Sequence, residues 1–285
     1  MTPRVPRIVR PAGPPIPVVV SVPHAGRLIP DDERDLYALS QQTLDRDLDL
    51  HVDRLFADVP SLGATLITSD IHRFVVDLNR RADDTCGTVV EGATARRAPG
   101  YYGSRGVIWG VTTRGESVYR ERLSRERYEA RIAAYHEPYH RALRGLLDEL
   151  RAQFGHVVLI DGHSMPSKAV VMHPDAGAER ADVVPGDVCG ASCGPQFTHD
   201  TCCFWSGRGY TVALNEPYRG GAITRGFGRP AAGCHAIQVE FNRARYMDEE
   251  SLELHAGFET LRRDCLDFVD KLAHTRETSA EPRRA

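Results

Sequence analysis

Val157, Val158, Leu159 and Ile160 form an unbroken apolar run, three of the four β-branched, that ends directly in Asp161, Gly162 and His163. A run this short and this apolar is the pattern of a strand buried on both faces, the kind found inside α/β sheets. The polar cluster falls just past the strand's carboxyl end, and in open α/β sheets ligands bind along that edge. Three further stretches repeat the design. Val18–Val22 runs into His24, Phe74–Leu78 runs into Asn79 and Arg80, and Ala236–Val239 runs into Glu240. Four strand ends would then deliver His24, Arg80, His163 and Glu240 to one place.

At 285 residues the chain is long enough for one large α/β domain. We expect an extended, Pro-rich arm over 1–16, a single domain over 17–273 and a disordered tail over 274–285. A net charge of −3 gives no basic face for nucleic acid. No apolar run approaches the ~20 residues of a membrane span. The N-terminus lacks the apolar core of a signal peptide, so the expected location is the cytoplasm. Seven cysteines with no Cys-x-x-Cys pair argue for reduced thiols over a disulfide framework or a zinc knuckle.

Periodicity places further elements. We expect a helix over 45–56 and strands over 64–68 and 74–78. A polar, Gly-rich insertion over 82–115, holding Tyr101, Tyr102 and Trp109, reads as a lid or binding loop. A long amphipathic helix covers about 117–153, kinked or divided by Pro138. Short strands are expected at 170–172, 183–184 and 210–214, helices at 197–206 and 248–272, and a Gly-rich loop at 220–233.

Three chemistries compete for these residues. His136-Glu-Pro-Tyr-His140 matches the zincin pattern H-E-x-x-H, but Pro138 breaks the continuous turn that pattern needs, which favours packing or local hydrogen bonding for both histidines. Gly162-His-Ser-Met-Pro166 approaches a nucleophile elbow, yet proline stands where the elbow needs a small residue, so Ser164 reads as a hydrogen-bonding residue. The third reading is a catalytic zinc. His24 and His163 are neutral nitrogen ligands past buried strands, and Asp45, Asp47, Asp49 and Asp53 offer a carboxylate. Glu240 would serve as the base for a zinc-activated water.

Several motifs also carry a family likeness in their order along the chain. They are Ser21-Val-Pro-His-Ala-Gly26, Asp77-Leu-Asn-Arg80, Asp161-Gly-His-Ser-Met-Pro166, Gly186-Asp187 with Gly190 and Ser192-Cys193, Asn215-Glu-Pro-Tyr-Arg-Gly-Gly-Ala-Ile-Thr-Arg225, and Val239-Glu-Phe-Asn-Arg-Ala-Arg-Tyr-Met-Asp248. With these the chain resembles the N-formylglutamate amidohydrolase family from about residue 17 to 272. The resemblance implies a mixed twisted sheet flanked by helices, the zinc-carboxypeptidase-like (phosphorylase/hydrolase-like) fold shared with aspartoacylases. It implies one zinc ion, or another divalent metal, on His24, His163 and a carboxylate, with Glu240 acting on the metal-bound water. Asp49 is the chosen carboxylate and Asp47 the reserve. Arg80 would pair with a substrate carboxylate, oriented by Asn79, and Arg225 with Tyr218 would meet a second one.

The implied activity is hydrolysis of N-formyl-L-glutamate, or a closely related small N-acyl amino acid, to formate and L-glutamate. Two alternatives stand beside it: a related deacylase or carboxypeptidase-like hydrolase with another acidic substrate, and a metal- or carboxylate-binding protein without catalysis. Segment 82–115 and the Cys202-Cys203 pair match none of the family's motifs. The sequence leaves the oligomeric state open.

Overall fold

The computed structural model describes residues 5–93, 105–173 and 175–276. Among them, six strands build one sheet: β1 (Arg7–Val9), β2 (Val18–Val22), β3 (Thr65–Thr68), β4 (Val157–Met165), β5 (Val183–Gly186) and β6 (Cys234–Asn242). Their order across the sheet is β1-β3-β2-β4-β6-β5. The inner strands run parallel, and β1 and β5 close the edges antiparallel. The helices are α1 (Gln41–Asp45), α2 (Val52–Leu55), α3 (Arg125–Arg131), α4 (Glu137–Phe154), α5 (Pro195–Gly207), α6 (Ala222–Phe227) and α7 (Gly257–His274). This is the mixed α/β sheet flanked by helices that the sequence implied. No helix among the described residues is long and apolar enough to cross a membrane.

Side chains alternate across a strand, and the sheet uses both faces. Val19, Val157 and Leu159 join a core with Tyr139, Leu143, Leu146 and Leu150 of α4. Val18, Val20, Val158 and Ile160 join another with Val52 and Leu55 of α2, Trp205 of α5 and Phe268 of α7. Each fully buried aliphatic side chain contributes roughly 1.5–3 kcal/mol. A one-residue slip of β4 would exchange its two faces, so the register that places Asp161 and His163 is held by this packing.

Several expected elements take another form. The segment 45–56 is not one helix: α1 ends at Asp45, only Val52–Leu55 is helical beyond it, and His51 sits in the left-handed region at φ 67°. The break arises because the backbone N–H of Asp49 donates to the carbonyl of His24 at 3.1 Å instead of continuing a helix. The long helix starts at Arg125, where Ser124 caps it by accepting from the N–H of Arg127. A π-helical turn over Ile132–His136 then precedes Pro138, and the N–H of Glu137 reaches back to the carbonyl of Ile132. That wider turn accommodates a proline, which has no N–H to give. The last helix begins at Gly257, not at 248, because the carboxylate of Asp248 closes a turn by accepting from the N–H groups of Glu250 and Ser251.

Segments 170–172 and 210–214 are not strands; only Val212 makes a single bridge, to Val183. Phe74–Leu78 is not a strand either, although all five residues are buried. Three of its carbonyls are taken by side chains instead of a ladder. Phe74 accepts from the hydroxyl of Tyr119, Val75 from Arg131 at 3.0 Å and Leu78 from His140 at 2.8 Å. An apolar run thus stays buried without sheet pairing, because its polar groups are satisfied by neighbouring side chains. Tyr101 and Tyr102, and the tail from residue 277, lie outside the described residues.

Candidate active site

His163 and Glu240 are not past the ends of their strands but inside them, directly opposite each other in the β4–β6 register. His24 lies two residues beyond β2, and Asp49 sits in the break between α1 and α2. All three members of the group His24, Asp49 and His163 are buried, and one ligand atom from each lies within 4.8 Å of the others. Among the described residues this is the group of histidines, cysteines and acids that could hold a metal ion.

The orientation of the rings is specific. Nδ1 of His163 lies 2.9 Å from Oδ2 of Asp49, and Nδ1 of His24 lies 3.3 Å from the same oxygen. The outer nitrogens face other carboxylates: Nε2 of His24 is 2.8 Å from Oδ1 of Asp77, and Nε2 of His163 is 3.2 Å from Oδ1 of Asp161. An imidazole that donates outward through Nε2–H turns its Nδ1 lone pair inward. The two Nδ1 atoms and a carboxylate oxygen of Asp49 thus converge on one point. The buried Nδ1 of His24 makes no hydrogen bond. A buried N, N, O donor set of this kind is suited to a divalent cation of the zinc class, which these three residues would hold.

Charge in the site follows from burial and neighbours. Burial raises the Asp49 carboxyl, but the hydrogen bond with His163 and the nearby His24 imidazole overcome it and leave the group well below the usual carboxylate range. Burial pulls the His163 imidazolium down, while the Asp161 carboxylate and the Asp49 hydrogen bond lift it well above the ordinary value. Glu240 is pushed up to about 7 by burial, against the pull of His163 and with a push from Asp49. Its Oε1 accepts from the amide of Gln238 at 2.9 Å.

Arg243 and Arg73 hold the acids from outside. Arg243 donates to Oδ1 of Asp49 at 3.3 Å, to Ser164 Oγ at 3.1 Å and to the carbonyl of Arg46 at 2.9 Å. Arg73 donates to Oδ2 of Asp77 at 2.9 Å and lies 4.3 Å above the ring of Trp109. Ser164 therefore serves as an acceptor for Arg243, within a strand and not on a strained elbow. Asp47 points away from the histidines: its carboxylate takes the N–H and hydroxyl of Thr113. Asp45 is engaged by Arg27 and Gln41, and Asp53 lies on α2.

These groups open onto a cavity of about 900 Å³. Asn79, Arg80, Tyr218 and Arg225 all line it. The amide of Asn79 is held in place: Oδ1 accepts from the N–H of Ile223 at 2.8 Å, and Nδ2 lies 3.0 Å from Nε2 of His163. Arg225 is exposed on α6 with its Nε on the carbonyl of Gly220. Among the described residues, eight arginines and four acids line the cavity. The zincin-like pair stands elsewhere. His136 and His140 stack at 4.2 Å and bind the carbonyls of Arg80 and Leu78, each at 2.8 Å, with no acid completing a metal group. All seven cysteines are free thiols.

Sequence reasoning assigned no role to Asp77, Asp161, Arg73 or Arg243. Asp161 was legible by strand parity, since residues two apart share a face. Arg73 and Asp77 come from the irregular segment after β3, and Arg243 opens the 3-10 turn that follows β6, so none had a strand-parity signal.

Comparisons with known proteins place the chain in a family. A sequence model of the family described as N-formylglutamate amidohydrolase matches residues 16–247. N-formylglutamate deformylase of Pseudomonas putida is 35% identical over 243 residues, covering 82% of this chain and 83% of that protein. The N-formylglutamate deformylase of Pseudomonas aeruginosa is 33% identical over 241 residues, covering 83% and 84%. The crystal structure of N-formylglutamate amidohydrolase from Ralstonia eutropha JMP134 superposes with a TM-score of 0.85 at 32% identity, covering 96% of this chain and 98% of that one.

Proposed function

This chain belongs to the N-formylglutamate amidohydrolase family, and from that premise we propose that it hydrolyses N-formyl-L-glutamate to formate and L-glutamate with one zinc ion held by His24, Asp49 and His163. The observation that carries the reading is the convergence of both Nδ1 atoms on Asp49 Oδ2, with Glu240 in register beside His163. When bound, an ion of this kind polarises a carbonyl and lowers the pKa of water from about 16 towards 7.

The chain's own residues do the rest. Glu240, raised to about 7, is basic enough to take a proton from the attacking water and acidic enough to return it to the leaving amine. Asp77 and Asp161 hold the two imidazoles in the orientation that leaves Nδ1 inward. Arg80 meets one substrate carboxylate and Arg225, with Tyr218, the other. The arginine excess in the cavity suits a dianion. Free thiols throughout fit a reducing compartment, which we take to be the cytoplasm.

The test is turnover of a panel comprising N-formylglutamate, N-formylglutamine and N-acetylglutamate, before and after chelation and with zinc restored. The reading expects N-formylglutamate to be preferred, chelation to abolish turnover and zinc to restore it. Preference for an acetylated substrate would move the assignment to a related deacylase. Full activity after complete metal removal would overturn the metal site.

A further inference from the structure

The His136-Glu-Pro-Tyr-His140 motif holds no metal group, yet both rings are directed at the backbone that carries Asn79 and Arg80. Nε2 of His140 donates to the carbonyl of Leu78, and Nε2 of His136 donates to the carbonyl of Arg80, each at 2.8 Å. The carbonyl between them, of Asn79, accepts from the N–H of Ala222 at 3.2 Å. From the other side, the N–H of Asn79 donates to Oδ1 of Asp77 at 2.9 Å and that of Arg80 to the carbonyl of Asp77 at 3.2 Å. The irregular segment is therefore gripped at consecutive carbonyls.

The spacing fits this use. Residues four apart on a helix share a face and are separated by about 6 Å along the axis. The carbonyls they meet belong to one turn, Asp77 to Arg80, closed by the N–H of Arg80 on the carbonyl of Asp77. Two histidines on one helix face thus reach two carbonyls of a single turn, those of Leu78 and Arg80. The π-helical turn ends at His136 and Pro138 falls between the two histidines in sequence, whose rings stack at 4.2 Å. His140 also stacks on Phe227 of α6, at 5.8 Å and 9°. Burial lowers both imidazoles, His140 to about 4, which favours the neutral form of each as a donor.

We propose that His136 and His140 are positioning residues: a two-ring clamp on the carbonyls of Leu78 and Arg80 that sets the pose of Asn79 against His163 and of Arg80 in the cavity. The proposal rests on the reading that Arg80 meets a substrate carboxylate.

The experiment compares His136→Phe and His140→Phe, which keep ring volume but remove the donor, with His136→Gln and His140→Gln, which keep a donor at similar reach. Metal content and melting temperature are measured beside kcat and KM for N-formylglutamate. We expect each Phe variant to raise KM about ten- to a hundredfold, the scale of a small misplacement of a binding group. Metal content should stay at the wild-type level and the Gln variants should recover most of the KM. Each Phe substitution is also made in an Arg80→Ala background, where it should have little further effect on KM. If Arg80→Ala raises KM but the Phe variants leave it unchanged, the clamp is wrong. An undiminished Phe effect in the Arg80→Ala background also overturns it. If Arg80→Ala itself leaves KM unchanged, the carboxylate reading fails instead. Should a Phe variant not fold, its Gln counterpart decides: wild-type KM supports the clamp and a KM as poor as that of Arg80→Ala refutes it.

Discussion

Replacing Asp77 by Asn tests how His24 is oriented. Oδ1 of Asp77 lies 2.8 Å from Nε2 of His24 and accepts from the N–H of Asn79 at 2.9 Å, while Oδ2 accepts from Arg73 at 2.9 Å. Every group around the carboxylate is thus a donor. An amide can satisfy only one side. With its NH2 towards Arg73, two donors face each other in a buried site and the unpaired group costs about 1–3 kcal/mol. With its NH2 towards His24, the imidazole must accept at Nε2, and the proton moves to Nδ1, where it blocks the lone pair that faces Asp49. The first outcome lowers stability, and the second lowers metal affinity as well. Loss of such a partner to a metal-binding histidine typically costs 10–100-fold in affinity, about 1.4–2.7 kcal/mol. The assay is zinc affinity by competition with a chromophoric chelator, read beside a urea melt. Asp77→Asn should bind zinc at least about tenfold more weakly and unfold at lower urea. Wild-type affinity together with wild-type stability would refute the assignment of Asp77 as the partner of His24.

Three further outcomes follow from the same geometry. Glu240→Gln should retain metal and bind substrate while losing about 10²–10⁴-fold in kcat, because Gln keeps the shape but cannot take a proton; near-normal kcat removes Glu240 from the chemistry. Arg80→Lys keeps the charge but loses the two-pronged geometry, so kcat/KM for N-formylglutamate should fall clearly. Comparing N-formylglutamate with N-formylglutamine in Arg80→Ala and Arg225→Ala then shows which arginine reads the distal carboxylate, since only loss of that one erases the preference. Zinc affinity should weaken as pH falls from 8 to 6, by at least about tenfold, because His163 is raised and must release its proton to ligate. In the metal-free protein the sign is reversed. The stabilisation from charged His163 is complete below the ordinary imidazole pKa and is lost as pH rises through its higher folded value, so a metal-free protein that gains stability above pH 7 would contradict the raised value.

Much of the central sheet was legible because its signal is local. An apolar run such as Val157–Ile160 has to be buried, and once it is buried on two faces the strand parity sets which residues look the same way. That parity placed His163 with Asp161, and the parallel register then set Glu240 opposite His163. The breaks were not legible. Asp45 to Phe56 has helical spacing, but the carbonyl of His24, distant in sequence, takes the N–H of Asp49 and ends the helix there. Phe74–Leu78 has strand composition, but Tyr119, Arg131 and His140 take its carbonyls.

By itself, then, the sequence determined which segments are buried and which residue types could perform the chemistry, since hydrophobic periodicity and side-chain chemistry are properties of short windows. Tertiary structure alone decided which of Asp45, Asp47 and Asp49 meets the histidines. All three are buried, and each ended on a different partner: Arg27 for Asp45, Thr113 for Asp47, and the two imidazoles for Asp49. It likewise supplied the partners of His136 and His140, the carbonyls of Arg80 and Leu78, where Pro138 had already argued against a metal motif. A buried polar group must find a partner somewhere, and which partner it finds depends on chain segments dozens of residues away.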